Sequence, residues 1–409
     1  MSAIPAPATG GTDGMRGIRA LTFAFALSQF FRTCLAVIAP ELQHDLALSP
    51  AGFGALSSSF FLAFAVAQIP VGIAFDRYGV GRPTRLLTAL GVVAAALFVV
   101  APGGGTAMVA QAGLGLACAP VFMGLMHFAS EQLPASRYAT VVSRANALSM
   151  LGALCATAPL GWAAHRFGWR AALAVAAVCM LAACTGIWRH VRDAGHAEAR
   201  AERPVALLAG SLRLLGIPAM WTLIPLCVAM AAGTTFRNAW GGPYLADVFA
   251  LGTDARGLAL AVVSLGGFGA ALLLPMLMRR LSLRAAVLAW SLLPLACGAT
   301  LAAWPDSGLW PGVALLTGLA TIGMVHPLVM AHGRGLVAPA LRGRGLGVLN
   351  TFVFLGSAVT SWTFGQIADA SERHGWSAAS TYAWIFLCAT TVVAVGVALY
   401  ARSPRPAPV

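Results

Sequence analysis

Along this chain, stretches of mostly apolar residues about as long as a membrane is thick alternate with short polar connections. A helix rises 1.5 Å per residue, so about 20 apolar residues cross a hydrocarbon layer of about 30 Å. Twelve stretches meet that length, at approximately 19–40, 52–74, 84–102, 107–129, 138–163, 169–189, 219–246, 256–277, 284–303, 309–332, 343–367 and 380–401. The pattern predicts an all-α integral membrane protein with twelve transmembrane helices. Segments 152–161 and 264–275 are rich in Gly and Pro. Membrane helices accept both, because neighbouring helices re-satisfy freed backbone groups and small residues allow close approach.

The connections give the orientation. One set carries Arg77, Arg82, Arg85, Arg137, the arginines between Arg189 and Arg213, then Arg279, Arg280, Arg284, Arg342 and Arg344, and the tails add Arg16, Arg19, Arg402 and Arg405. The alternate set holds only Arg166, Arg170, Arg256 and Arg373. The positive-inside rule places both termini and the long 190–218 connection in the cytoplasm, as an even span count requires. The expected organisation is a tail at 1–18, a six-helix bundle at 19–189, a linker at 190–218, a second six-helix bundle at 219–401 and a tail at 402–409. The N-terminal segment lacks the basic-then-apolar order of a signal peptide.

Composition narrows the class. Of 409 residues, 59% are hydrophobic and 10% charged, against roughly a quarter charged in soluble domains. The mean hydropathy is +0.81. The lipid bilayer is therefore the main partner of the surface. The net charge of +13 comes entirely from arginine, with no lysine. Topology explains those cations, and no nucleic-acid partner is expected. Cys34, Cys118, Cys155, Cys179, Cys184, Cys227, Cys297 and Cys388 all lie in apolar runs without a CxxC pair, and read as small apolar residues. No phosphate-binding loop, metal-ligand spacing or nucleophile motif appears. Neither an enzyme nor a cofactor or metal is expected.

The two halves repeat. PASR at 134–137 matches PALR at 339–342, HRFGWR at 165–170 resembles ERHGWS at 372–377, and Pro120 with Pro327 and His127 with His332 recur at the same offset of 205 to 207 positions. The segment GIAFDRYGVGR, Gly72 to Arg82, follows the second span. It resembles the G-x-x-x-D-R-x-G-x-x-R signature of the major facilitator superfamily, which lies between spans two and three. The resemblance covers essentially the whole chain. It implies two pseudo-symmetric six-helix bundles, alternating access, a bacterial inner-membrane location and action as a monomer. It also implies a conformational latch at Gly72, Asp76, Arg77, Gly79 and Arg82, joined by Glu131, with Gly72 allowing two helix ends to pack closely. The alternative reading is a topology-setting basic loop. The second half keeps only basic character at 275–284.

A narrower likeness lies in spans one and seven. Arg32 precedes Pro40 by eight residues, and the run from Arg237 through Trp240 to GGPYL at 241–245 has a spacing of six to Pro243. Both are similar to the anion:cation symporter and organophosphate antiporter branches. Arg32 and Arg237 are 205 positions apart, within the repeat offset. An arginine in mid-bilayer costs about 2.5–3.5 kcal/mol even on a lenient insertion scale, so each should face the interior. Two guanidinium forks on one cavity suit a carboxylate, phosphate or sulfonate. The alternatives are backbone carbonyl partners, or, for Arg237, snorkelling to the surface. Gln29, Gln68, Asn238, Trp240, Tyr244, Arg144 and His326 complete the candidate binding set.

No carboxylate sits in the middle of a span, and Asp76, Glu131, Asp247 and Asp369 fall at span ends. Where the similar branches carry acids, this chain has Phe31 and Cys118. That disfavours carboxylate-borne proton coupling and cationic substrates. It leaves exchange, facilitated flux, or coupling through His127, His326 or His332, since imidazole titrates near neutrality. The expected function is secondary active or facilitative transport of a small organic anion. A proton-coupled drug or metabolite efflux pump and a transporter-like solute sensor are the alternatives.

Overall fold

The computed structural model describes residues 12–192, 210, 213–337 and 341–404. Residues 1–11, most of the 190–218 linker, residues 338–340, which include the first two of the PALR repeat, and residues 405–409 lie outside the described residues. Regular structure among the described residues is helical throughout. The first half comprises α1 (Thr12–Asp45), α2 (Pro50–Tyr78), α3 (Gly81–Val99), α4 (Gly104–Gln132), α5 (Ala135–Cys155), α6 (Ala158–Phe167) and α7 (Trp169–His190). The second comprises α8 (Met220–Thr235), α9 (Gly241–Phe249), α10 (Thr253–Met278), α11 (Leu283–Ala303), α12 (Leu309–Ala320), α13 (His326–Leu336), α14 (Arg342–His374) and α15 (Ala378–Tyr400).

Eleven helical runs among the described residues are long and apolar enough to cross a membrane. Helices α5 and α6 together form the fifth run, and α12 with α13 the ninth. The seventh predicted stretch is divided between α8 and α9 by a π turn at Phe236–Trp240. Its two pieces are each shorter than a continuous crossing, so it stands apart from the eleven. Several helices outrun their apolar stretches, α1 by several residues at each end and α14 to a length of 33 residues. Hydropathy marks where a helix lies in hydrocarbon, whereas the backbone ladder continues into water.

Turn chemistry sets the connections. Ser49 caps α2 by accepting from the Gly52 N–H at 3.1 Å, with Pro50 at the first helical position. Gly79 ends α2 at φ +76°, a region that glycine enters without a Cβ penalty. The GWR run at 168–170 clasps the end of α1. Trp169 Nε1 donates to Asp45 Oδ2 at 2.9 Å, and Arg170 Nη1 to the same oxygen at 2.6 Å.

The described segments nearest the two termini lie at one face of the molecule, where each half is stitched within itself. Arg85 donates to the Val191 carbonyl and Arg284 to that of Ala401. His332 bonds the Tyr400 hydroxyl at 2.8 Å and the Pro404 carbonyl at 3.0 Å. At the far face, the halves are instead locked to each other. A Cβ on Gly242 would fall 1.5 Å from the Ala36 carbonyl oxygen of α1, and one on Gly54 of α2 would fall 2.7 Å from the Ser361 carbonyl of α14. Gly161 and Gly257 meet in the same way. Beside them Arg256, 4% exposed, pairs with Glu41 and donates to the Leu251 and Val37 carbonyls, while Thr253 also donates to Glu41.

Toward the terminal face the halves part. A Cβ on Gly72 would meet nothing within 4 Å, and Asp76 and Arg77 are exposed. The close packing expected at Gly72 is absent in this state, because its helix end borders open space. The structure is closed at the far face and open at the terminal face.

The far-face clasp is testable. Glu41→Ala strands the buried Arg256 and should cost about 1–3 kcal/mol, below the 3–5 of a fully buried pair because Glu41 is a third exposed. In a double-mutant cycle on thermal unfolding, Glu41→Ala/Arg256→Met should be less destabilised than the sum of the single changes. Strict additivity would show that the two side chains do not act together.

Candidate functional site

The centre of the molecule is built around Arg32. Its guanidinium lies 4.5 Å from the ring centroid of Phe64 on α2 and 4.9 Å from that of Phe354 on α14. Those rings, one from each half, meet at 4.1 Å. Contacts of this kind contribute about 0.5–2 kcal/mol, and they leave the guanidinium N–H donors unused. Nη1 reaches Gln29 Oε1 at 3.4 Å, a long hydrogen bond, and Nε has no partner. Cys118 of α4 is buried near Arg32, where the sequence likeness would put an acid.

Arg237 sits in the π turn between α8 and α9. The Gly241 N–H reaches back five residues to the Phe236 carbonyl, the i→i+5 bond that defines this turn. A Cβ at Gly241 would stand 2.7 Å from that carbonyl, so glycine permits the turn. Arg237 makes no hydrogen bond or ion pair among the described residues, and its Nε is buried without a partner. The neighbouring Asn238 has an equally unpartnered Oδ1. Arg32 and Arg237 are close enough for their charges to oppose each other. Both keep some accessible surface despite lying mid-helix.

A hydrogen-bond chain crosses the cleft beside this pair. His326 Nε2 lies 3.3 Å from Asn350 Oδ1, Asn350 Nδ2 donates to Gln68 Oε1 at 3.0 Å, and Gln68 Nε2 to the Phe64 carbonyl at 3.5 Å. Gln68 belongs to the first half, whereas His326 and Asn350 belong to the second. His326 is placed by a second helix irregularity. A 3₁₀ turn at Thr321–Val325 separates α12 from α13, and Pro327 stands at the start of α13, where its missing N–H costs nothing. The Thr321 carbonyl accepts from Trp290 Nε1 at 3.1 Å.

The structure thus gathers Arg32, Arg237, Gln29, Gln68, Asn238 and His326. The other candidates lie elsewhere. Trp240 donates to Ser361 Oγ at 3.0 Å and packs against Phe53 and Phe364. Tyr244 is fully buried among Phe249, Tyr382 and Phe386, and donates to the Pro305 carbonyl at 2.6 Å. Both have spent their donors on the packed far-face wall. Arg144 is exposed on α5, nearer the terminal face. His127 is exposed against Phe75, and His332 is buried with both ring nitrogens engaged. Of the latch residues, Arg77 and Arg82 lie over the Tyr78 ring, and Gly79 forms the turn. Asp76 and Glu131 are exposed, with no ion pair among the described residues.

Asn350, Phe64, Phe354 and the pair Glu41–Arg256 were missed by sequence reasoning. Asn350 had a signal, an amide in the middle of an apolar stretch. Glu41 directly follows the intramembrane Pro40. The two phenylalanines had none, since phenylalanine in a span reads equally well as lipid-facing. No group of three or more metal-ligating side chains occurs among the described residues.

Comparisons with known proteins follow this geometry. The family described as Major Facilitator Superfamily matches residues 21–361. A probable galactarate/D-glucarate transporter of Bacillus subtilis (strain 168) is 27% identical over 154 residues, 35% of this chain and 33% of that protein. A probable L-galactonate transporter of Escherichia coli (strain K12) is 26% identical over 268 residues, 61% of this chain and 58% of that protein. The matched segments thus span about a third to somewhat over half of these relatives. Among solved structures, a nucleoside transporter superposes with TM-score 0.78 at 12% identity, covering 95% of this chain and 99% of that one. A D-xylose–proton symporter superposes with TM-score 0.76 at 14% identity, covering 96% and 98%.

The bridge across the cleft predicts a specific mutational pattern. Asn350→Leu orphans Gln68 Oε1 and the His326 ring, each at about 1–3 kcal/mol if no water replaces the bond. Its thermal midpoint should fall, and Gln68→Leu added to it should restore part of the loss. A double variant as unstable as the summed singles would show that the bridge is not a coupled unit.

Proposed function

The chain belongs to the Major Facilitator Superfamily, and from that premise we propose that it carries a small organic anion of the sugar-acid kind across the membrane by alternating access. One observation supports this above all: two guanidinium groups from different halves lie within electrostatic reach of each other, with almost none of their donors used and no carboxylate against either among the described residues. A buried cation without a counter-charge is costly. A bound carboxylate supplies that charge and accepts paired N–H bonds. The amides of Gln29, Gln68, Asn238 and Asn350 around the pair offer the donors and acceptors that a polyhydroxy chain needs. The substrates named for the relatives, galactarate, D-glucarate and L-galactonate, are carboxylates on such chains.

The conformational cycle follows from the same charges. In the empty cleft Arg32 and Arg237 repel, which opposes closure. An anion between them removes the repulsion and draws the halves together, the differential affinity that switching requires. Closing the terminal face would bring the exposed Asp76 loop against the other half, with Gly72 at the contact. We place the terminal face in the cytoplasm of a bacterial inner membrane on the arginine bias of its connections, and take the carrier to act as a monomer. That no carboxylate of a described residue pairs with either arginine disfavours export of cationic drugs.

Arg32→Gln and Arg237→Gln should each weaken binding of D-glucarate or D-galactonate by about ten- to a hundredfold, the weight of a charge-assisted pair at about 1.5–3 kcal/mol. Titration calorimetry in detergent and uptake into liposomes read this directly. Stabilisation by lipophilic cations, unchanged in both variants, with no response to any carboxylate, phosphate or sulfonate, would overturn the anion reading.

A further inference from the structure

We propose that the carrier binds a proton together with its anion, and that the proton resides on Nδ1 of His326. The inference rests on the anion-binding reading above and extends it to the coupling ion.

The hydrogen-bond chain assigns the imidazole's neutral form. Asn350 turns its carbonyl oxygen to His326 because its Nδ2 is committed to Gln68 Oε1, and Gln68 in turn commits its own Nε2 to the Phe64 carbonyl. Each amide is thus oriented by the next, and the terminal acceptor is a backbone oxygen that cannot flip. His326 Nε2 must therefore be the donor to Asn350. The ring's single neutral-state proton is on Nε2, and Nδ1 carries a free lone pair. Nδ1 has no hydrogen-bond partner among the described residues, and the ring retains access to the cleft.

The groups around His326 explain when that lone pair is used. The charged group facing it is Arg32 of α1. Asn350 of α14 contributes a neutral amide. On its own helix, His332 is bound to Tyr400 and Pro404, and the remaining cation, Arg334, lies two turns on toward the terminal face. No carboxylate of a described residue pairs with any of them. In the empty cleft a proton on His326 would be a third positive charge beside Arg32 and Arg237. An anion on the two arginines reverses that cost. Proton and anion then favour each other's binding by the same factor, as linkage requires.

The step balances simply. Nδ1 takes one proton from water on the side to which the cleft is open and returns it on the other, and no covalent bond to carbon forms or breaks. Protonation leaves the Nε2–H bond to Asn350 in place and makes it charge-assisted. Because Asn350 is tied across the cleft to Gln68, loading strengthens a link between the two halves.

The test uses the full-length protein in detergent, with D-glucarate and D-galactonate as probes. Their carboxylates stay ionised from pH 5.5 to 8, so any pH dependence belongs to the protein. Affinity should be about tenfold or more tighter at pH 5.5 than at pH 8, within the range of common coupling energies. Calorimetry in two buffers of different ionisation enthalpy should show net proton uptake on binding. His326→Gln, which keeps an N–H donor for Asn350 but does not titrate, should lock affinity near the weak alkaline value and abolish proton uptake. In liposomes it should remove acidification of the lumen during anion entry. His127→Gln, exposed against Phe75 and outside the hydrogen-bond chain, should behave as wild type. Binding that is pH-independent in wild type, or a pH dependence that survives in His326→Gln, overturns the proton site while leaving the anion reading intact. Failure of every anion to bind the wild type overturns both.

Discussion

Two positive charges in the middle of a membrane protein, without a counter-charge, are the constraint that organises this structure. Neither Arg32 nor Arg237 has an acidic partner among the described residues. The available compensation is modest: two phenylalanine rings and one long bond to Gln29 for Arg32, and nothing among the described residues for Arg237. Such a pair is tolerable only while water reaches it through an open cleft or while an anion sits between the two. The open terminal face is therefore the electrostatic condition for an empty site. The closed far face, by contrast, is made of contacts that carry no net charge, with Arg256 matched to Glu41.

Backbone irregularity is concentrated in the second half. Helix α1 runs unbroken through Arg32, whereas its counterpart is interrupted by a π turn at Arg237. The adjacent glycines do two separate jobs: Gly241 admits the five-residue bond and Gly242 lets α1 come within contact of the backbone. A second interruption delivers His326 at the head of α13. Both breaks occur at the level of the cleft, where freed carbonyls can find side chains or water. The charges are quasi-symmetric between the halves, but the backbone that presents them is not.

Much of the architecture was legible because it answers to one-dimensional quantities. Apolar length, arginine bias and repeat offset count residues, and the bilayer imposes its thickness on any sequence. The intramembrane arginines stood out for the same reason, since their cost depends on depth alone. Trp240 and Tyr244 were misleading in that frame. They belong to the run that carries Arg237, yet past the π turn both lie in the far-face wall, where Ser361 and Pro305 take their donors. Asn350 was missed although it links the halves, because its partner Gln68 is 282 positions away.

By itself, then, the sequence determined the solvent, the span count, the repeat of the halves and the presence of two intramembrane cations, all of which follow from local hydropathy, charge and spacing. Only the tertiary structure decided which polar groups those cations meet, which tautomer His326 adopts, and which face of the molecule is shut. These depend on distances between residues remote in the chain, set where helices touch: at a glycine that admits a backbone carbonyl, or at an amide whose orientation is fixed by the next amide along.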